Sequence, residues 1–379
     1  MIWPRVIGQQ RVKHALLSAL KSHRLTHAYL FHGPEGVGKD AMALELSRVL
    51  HCQNSAEQAC DTCPSCVQLN TLRHPDVKFV VALPVGKGEK SDDPPLARLT
   101  DGDVKSIQEQ LLLKGSNPYY RVTIPRANII KINSIREVRR ESALSTSDGR
   151  RRVIIISRAD EMGDEASNTL LKTLEEPSGN TMLVLTTSRR DALLPTIQSR
   201  CQALRFDSLT EENIRVALME RNGVHEQHAS VIAKLANGSY GAALDLIQED
   251  VAKRREEVVS FVMHALGNNM ATLVEHIEEL SASRDREVVT RFLHMLLMWF
   301  RDALLCAHGR EVINLDQQDP ILRFVRKFPN ANLIHLISDV EQAISLVERN
   351  VYITLVLLQL SVQVRGHILP ISTRSQSLG

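Results

Sequence analysis

The chain has 379 residues, 43% apolar and 24% charged, which fits two or three globular domains and excludes a disordered or fibrous chain. Its formal net charge of +2 excludes a global attraction to nucleic acid, so any basic surface must be local. An aromatic content of 4% excludes base stacking as a main device. The opening Met1-Ile2-Trp3-Pro4-Arg5 lacks a charged-then-apolar leader pattern. The longest apolar run, 351–364, carries Tyr352, Thr354, Gln359 and Ser361 and is too short to span a bilayer. The expectation is a cytoplasmic protein without a membrane partner.

In chain order, residues 10–22 have helical spacing, with Val12, Leu16 and Leu20 on one face. An apolar strand through Tyr29, Leu30 and Phe31 then enters Gly33-x-x-Gly36-x-Gly38-Lys39, and a helix is expected over 39–51. This is the context of a phosphate-binding loop. Glycines let backbone N–H groups wrap phosphates, and the lysine reaches the β- and γ-phosphates. The next residue should be Ser or Thr, whose hydroxyl ligates Mg²⁺. Here it is Asp40, a carboxylate that should repel a triphosphate. Gly33, Gly36, Gly38 and Lys39 are therefore candidate nucleotide-binding residues of a degenerate loop. Whether that loop still takes a nucleotide stays open.

Cys52, Cys60, Cys63 and Cys66 follow, spaced C-x7-C-x2-C-x2-C. In a reducing compartment such a cluster reads as metal before disulfide, and four thiolates close a tetrahedral, structural Zn²⁺ site. Cys201 and Cys306 stand apart and read as small buried apolar residues. Residues 77–83 read as a buried strand. An inserted segment, about 84–128, opens with a Pro-, Gly-, Lys- and Asp-rich loop and holds one helical patch at 104–113. Residues 132–144 read as a helix with a basic face of Arg136, Arg139 and Arg140. Arg150, Arg151 and Arg152 lead into the buried strand 153–156. A helix over 165–176 is stopped by Pro177, and a further buried strand covers 182–185. Strands alternating with helices predict a parallel α/β domain to about residue 208. A small helical unit is expected over 209–250 and a longer helical domain over 251–379, with a loose tail over the last nine residues. Leu333, Leu336, Val340, Ile344 and Val347 repeat at helical spacing, and 355–360 follows as a second apolar patch.

Several motifs stand in one order. Val6-Ile7-Gly8-Gln9 precedes the loop and the four cysteines follow it. Next come Asn168-Thr-Leu-Leu-Lys-Thr-Leu-Glu-Glu-Pro177, Ser199-Arg200-Cys201 and Gly238-Ser239-x-x-Ala242-Ala243-Leu244. The chain resembles the clamp-loader branch of the AAA+ ATPases over residues 1 to about 250, and Trp299-Phe-Arg-Asp-Ala-Leu-Leu305 resembles that family's collar domain. The resemblance implies a RecA-like AAA+ domain, a helical lid and an all-α collar that holds a hetero-oligomer together. The insertion at 84–128 departs from the family pattern and has no role assigned by it.

In the family's active subunits, the strand matching 153–156 ends in Asp-Glu, which organises Mg²⁺ and polarises water. Here those places hold Ser157-Arg158. Asp160-Glu161 lies slightly further on, where a helix-capping position is expected. The lid arginine that senses the γ-phosphate is replaced by Gly241. Three altered chemical positions imply a subunit that does not hydrolyse ATP. Arg200, by contrast, matches the arginine that serves a neighbouring subunit's ATP site in trans. The implied partners are the other clamp-loader subunits, which bind the ATP, and, through the complex, the sliding clamp and primed DNA. Two other readings remain at this stage. One is an active ATPase in which Asp40 itself ligates Mg²⁺. The other is a zinc-dependent nucleic-acid-binding protein with a decayed loop, resting on the arginines at 136–152.

Overall fold

The computed structural model describes residues 3–369 apart from 145, 147–149, 177–179, 249–250, 268, 283–285, 311–317 and 350. Pro177 and the expected loose tail lie outside the described residues. The chain divides into two compact units, residues 1–245 and 246–379.

The first unit is built on a five-stranded sheet. Its strands are β1 (Ala28–His32), β2 (Val77–Val80), β3 (Arg152–Ile156), β4 (Thr181–Thr187) and β5 (Gln202–Arg205). They run in the order β2-β3-β4-β1-β5, and every pairing is parallel. β3 and β4 are buried along their whole length, as expected for central strands covered on both faces. Leu30, Ile154, Ile156, Leu183 and Leu185 share one core with Ile135, Val138, Leu170 and Leu174 of the flanking helices. β5 has no apolar run. Gln202, Ala203 and Arg205 are exposed, so this edge strand is covered little on either face, and this is why it is absent from the sequence reading.

The helices of this unit are α1 (Gln10–Lys21), α2 (Lys39–His51), α3 (Pro64–Leu69), α4 (Asp101–Ser116), α5 (Ile132–Ser142), α6 (Asp164–Glu175), α7 (Pro195–Gln198), α8 (Glu211–Asn222), α9 (Glu226–Leu235) and α10 (Tyr240–Gln248), the last of which runs across the unit boundary. α4 is longer than the expected 104–113 patch. Thr100 and Asp103 form a reciprocal capping box that starts it three residues earlier, and Lys114 and Gly115 in its last turn are buried. The insertion is therefore an ordered part of the unit. Val81, Leu83, Ile107 and Val122 form a small core of their own beneath it.

The second unit is helical, with α11 (Val251–Leu266), α12 (Met270–Ala282), α13 (Arg286–Ala307), α14 (Gln318–Lys327), α15 (Leu333–Glu348) and α16 (Ile353–Ile368). α13 packs on α14 and α15, and α16 on α11, α12 and α15. Leu333, Leu336, Val340, Ile344 and Val347 are all buried, so most of the expected stripe is this unit's own core. Trp299 meets Phe324 with ring centroids 4.8 Å apart, inside an aromatic cluster with Phe300 and Phe328. Tyr352, which precedes α16, and Leu355 and Val362 within it remain exposed. No helix among the described residues is long and apolar enough to cross a membrane.

The exit of β1 is the tightest point of the sheet. Gly33 has φ +145°, and a Cβ there would lie 2.2 Å from the Phe206 carbonyl oxygen, a backbone atom that cannot rotate away. Gly33→Ala is expected to destabilise the first unit by about 2–3 kcal/mol, read from the urea midpoint of its unfolding transition. An unchanged midpoint would mean that β1 and the segment after β5 do not meet as described.

Candidate functional site

The loop between β1 and α2 has the shape its glycines dictate. Gly36 and Gly38 have φ of +69° and +102°, values open to glycine at little cost. The Lys39 side chain turns back onto the loop itself. Its ammonium donates to the carbonyl oxygens of Gly33 at 2.7 Å and Pro34 at 2.5 Å. Burial is the main influence on that ammonium and lowers its pKa below the ordinary lysine value.

Asp40 stands in the first turn of α2. Its Oδ2 lies 2.9 Å from the Lys114 ammonium and accepts from the Ser157 hydroxyl at 2.8 Å. Its Oδ1 accepts from the Thr186 hydroxyl at 2.7 Å. Burial alone would push the carboxyl pKa up. The Lys114 charge and the Thr186, Lys114 and Ser157 hydrogen bonds outweigh it and hold the group down at about 2. Four elements thus meet at one carboxylate: α2, α4, the end of β3 and the end of β4. Lys114 and Thr186 are the residues that sequence reasoning missed. A lysine in the last turn of a helix is ordinarily solvated, and only the tertiary fold brings it to Asp40.

The loop is covered from two sides. On one, the Tyr119 hydroxyl accepts from the Ile7 backbone N–H at 2.8 Å and stands where a Cβ at Gly38 would be 2.7 Å away. Arg121 lies 3.6 Å from Glu35. On the other, the Gly241 N–H donates to the Gly36 carbonyl at 3.2 Å, and a Cβ at Gly36 would sit 2.0 Å from the Ser239 hydroxyl oxygen. The missing side chain at 241 permits this approach, since a Cβ there would be 3.1 Å from Gly36 Cα. Tyr119 and Tyr240 pack edge to face, centroids 4.9 Å apart, with the Arg221 guanidinium about 6 Å from both rings.

Arg158 takes a left-handed backbone conformation, φ 51°, and its guanidinium pairs with Glu161 at 3.3 Å. Asp160 and Glu161 lie in a 3₁₀ turn, whereas α6 is capped at Gly163, so the pair is not the helix cap expected. Asp160 accepts from the Thr187 hydroxyl at 2.7 Å and the Arg189 Nε at 2.9 Å. Arg200 follows the short α7. Its guanidinium pairs with Glu175 at 2.8 Å and donates to the Thr196 carbonyl at 2.9 Å, leaving the side chain 35% exposed.

The Sγ atoms of Cys52, Cys60, Cys63 and Cys66 all lie within 4.8 Å of one another. The donor set fits a tetrahedral Zn²⁺ in composition and number. The Cys60 sulfur accepts from the Thr62 hydroxyl and the Cys63 N–H, which bring its thiol down to about 5. Burial pushes the Cys66 thiol up to about 12, so an added positive charge is what would ionise it. The cysteine loop is tied down by the Trp3 indole N–H on the Glu57 carbonyl at 2.8 Å, by Arg150 on the Cys52 carbonyl at 2.9 Å, and by an Arg48–Asp61 ion pair.

A family model described as DNA polymerase III, delta subunit, matches residues 8–210, and one described as DNA polymerase III, delta subunit, C terminal, matches 249–364. The DNA polymerase III subunit delta' of Escherichia coli K12 is 27% identical over 366 residues, 94% of this chain and 95% of that one. Its namesake in Bacillus subtilis 168 is 28% identical over 306 residues, 80% and 79% of the two chains. The B. subtilis DNA polymerase III subunit tau is 26% identical over 253 residues, 65% of this chain and 37% of that one.

The Asp40 network carries a signature in acid. A carboxyl held below its unfolded pKa adds stability above about pH 4, and that stability is lost as pH falls through the folded value, here about 2. Asp40→Asn is expected to cost about 2 kcal/mol at neutral pH, with the gap to wild type closing between about pH 4 and 2. Denaturant titrations of both proteins across that range provide the check. A pH-independent gap would mean that Asp40 is not held ionised by Lys114.

Proposed function

The chain belongs to the DNA polymerase III delta-prime family, and from that premise we propose that it is a non-hydrolysing subunit of the clamp loader. It supplies a structural wall and an arginine that acts on a neighbouring subunit's ATP during loading of the sliding clamp onto primed DNA. The observation that carries this reading is the carboxylate of Asp40. It takes the place of the Mg²⁺-binding hydroxyl and is already engaged by Lys114, Ser157 and Thr186. Ser157-Arg158 in place of the acidic pair, and Gly241 in place of the sensing arginine, leave no group to activate water or read a γ-phosphate. The reading takes residues 1–208 as the RecA-like AAA+ domain, 209–250 as the lid and 251–379 as the collar. Its partners are the gamma/tau ATPase subunits and delta, its compartment the cytoplasm. The exposed Leu355 and Val362 of α16, with Tyr352 just before it, suit helix-to-helix assembly.

Arg200 is the residue through which this chain acts on chemistry. Its planar, permanently charged fork suits charge developing on a transferring phosphoryl group, and its exposure leaves it within reach of a neighbour. Arg200→Ala is expected to leave ring assembly intact and to lower the clamp- and DNA-stimulated ATPase of the reconstituted loader by about twofold or more. The loss is partial because other sites in the ring keep their own arginines. Arg200→Lys should not restore the rate, since a point charge cannot reproduce the fork. Wild-type rates for Arg200→Ala in a fully assembled loader would reduce the residue to a surface charge.

The four cysteines hold one structural Zn²⁺, whose charge offsets the burial of the Cys66 thiol. The native chain should contain one equivalent of zinc by elemental analysis. Cys63→Ser should lose it and open the 52–66 loop to protease while the sheet stays folded. Much less than one equivalent, with these thiols freely reactive in the native protein, would remove the metal from the account.

A further inference from the structure

The insertion has a place in the fold but no role in the family pattern, and its contacts converge on the phosphate loop. Lys114 is the central one. Its side chain is only 5% exposed, and its ammonium lies 2.9 Å from Asp40 Oδ2 and donates to the Tyr120 carbonyl at 2.9 Å. The aromatic face of Phe79 lies 5.7 Å away. A lysine so buried is stable only with a close anion and its N–H groups satisfied, and Asp40 and Tyr120 meet that need. Tyr119, on the turn after α4, is buried over Gly38 and pinned by the Ile7 N–H. Arg121 reaches Glu35 inside the loop, and the Val122 carbonyl accepts from Arg158 at 3.4 Å.

The backbone between Lys114 and Tyr119 is anchored as well. Arg5 donates to Asn70 Oδ1 at 2.7 Å and to the Ser116 carbonyl at 2.9 Å. Gly115 passes so close to Asn70 that a Cβ would stand 2.5 Å from the Asn70 carbonyl oxygen. The end of α4 is therefore wedged between the N-terminal segment and the chain leaving α3.

We propose that residues 114–121 of the insertion are the standing ligand of the phosphate loop. The Lys114 ammonium neutralises Asp40 and the Tyr119 phenol covers Gly38, so the loop is a socket for the chain's own segment rather than for a nucleotide. Asp40 and Lys114 form one unit. Restoring a hydroxyl at position 40 does not open the loop while Tyr119 and Lys114 remain. Removing the cap while Asp40 remains leaves a carboxylate facing the phosphates.

The test uses the full-length chain and MgATP carrying a fluorescent ribose label, titrated to millimolar concentration. Wild type and Asp40→Thr are expected to show no saturable binding. The triple variant Asp40→Thr/Lys114→Ala/Tyr119→Ala is expected to bind at least about tenfold more tightly than Asp40→Thr. Saturable binding by wild type, or a gain in Asp40→Thr equal to that of the triple variant, would overturn the cap. A second readout needs no variant. Hydrogen exchange of the 35–39 amides in wild type should be slow and unchanged by millimolar MgATP. Fast exchange, or protection gained on adding MgATP, counts against the cap even where the triple variant fails to fold. A closed loop would persist in a chain with no loader role, so these results and the Arg200 assay fail separately.

Discussion

A half-buried carboxylate at the start of a helix has to be compensated, and side chains from three other parts of the first unit meet that demand at Asp40. The N-terminal turn of α2 favours negative charge through its free N–H groups and the helix dipole, which is why phosphate loops lead into helices. Asp40 puts a permanent anion there. The helix dipole alone does not repay the desolvation of a half-buried carboxylate, so specific partners must arrive. Two are hydroxyls at the carboxyl ends of neighbouring strands, Ser157 after β3 and Thr186 in β4. The third is a full positive charge, which no residue of the sheet supplies at this point and which α4 provides through Lys114. Asp40 and the inserted segment at 84–128, far apart in sequence, are joined by the Asp40–Lys114 ion pair.

The same reasoning explains the two glycines nearby. The absence of a side chain at Gly241 lets the backbone of α10 come close enough to hydrogen-bond the loop at Gly36, and on the proposed reading it also leaves no group there to read a γ-phosphate. Lys39, whose amine elsewhere reaches phosphates, folds back on the Gly33 and Pro34 carbonyls. Asp40, Ser157, Arg158, Lys39 and the Gly241 N–H each have a partner within the chain. A loop that had merely drifted would leave buried polar groups unpaired, at a cost of about 1–3 kcal/mol each.

What could be read from the sequence follows the range of the forces involved. β1, β3 and β4 announce themselves as apolar runs because both faces of each are covered, whereas β5 is an edge strand with exposed Gln202 and Arg205 and no such signal. The glycines and Lys39 fix the loop locally, and the cysteine spacing fixes the cluster, whose sulfurs do come together. Asp40 was legible as an oddity, but not its meaning, because the answering charge lies on a distant helix. Lys114 gives no local sign of burial, and Tyr119 reads as an ordinary loop aromatic. The periodic stripe of α15 was legible as apolar but not as to destination. Leu336, Val340 and Val347 went into the unit's own core, while Ile334 of α15 and Leu355 and Val362 of α16 are exposed.

A loop filled by its own chain has a consequence for the residue that faces outward. Where a nucleotide comes and goes, the helices around the phosphate loop are free to follow it. Here α2, β3 and β4 are joined through Asp40 to a segment that does not leave. Arg200 depends on that same sheet, since Glu175 at the end of α6 and Thr196 in α7 hold its guanidinium, and both helices pack on the β3–β4 core through Leu170, Leu174 and Ile197. On the proposed reading, a fixed sheet presents the arginine at a constant position while neighbouring subunits cycle. The cost of reaching a phosphoryl group in the adjacent site then falls on the neighbour's motion and not on reorganisation within this chain. That is the advantage of preorganised charge in phosphoryl transfer, where positioning and electrostatics carry nearly all the rate enhancement. On that reading an inert phosphate loop and an active arginine belong together on one chain, because the contacts that close the first also brace the sheet that carries the second.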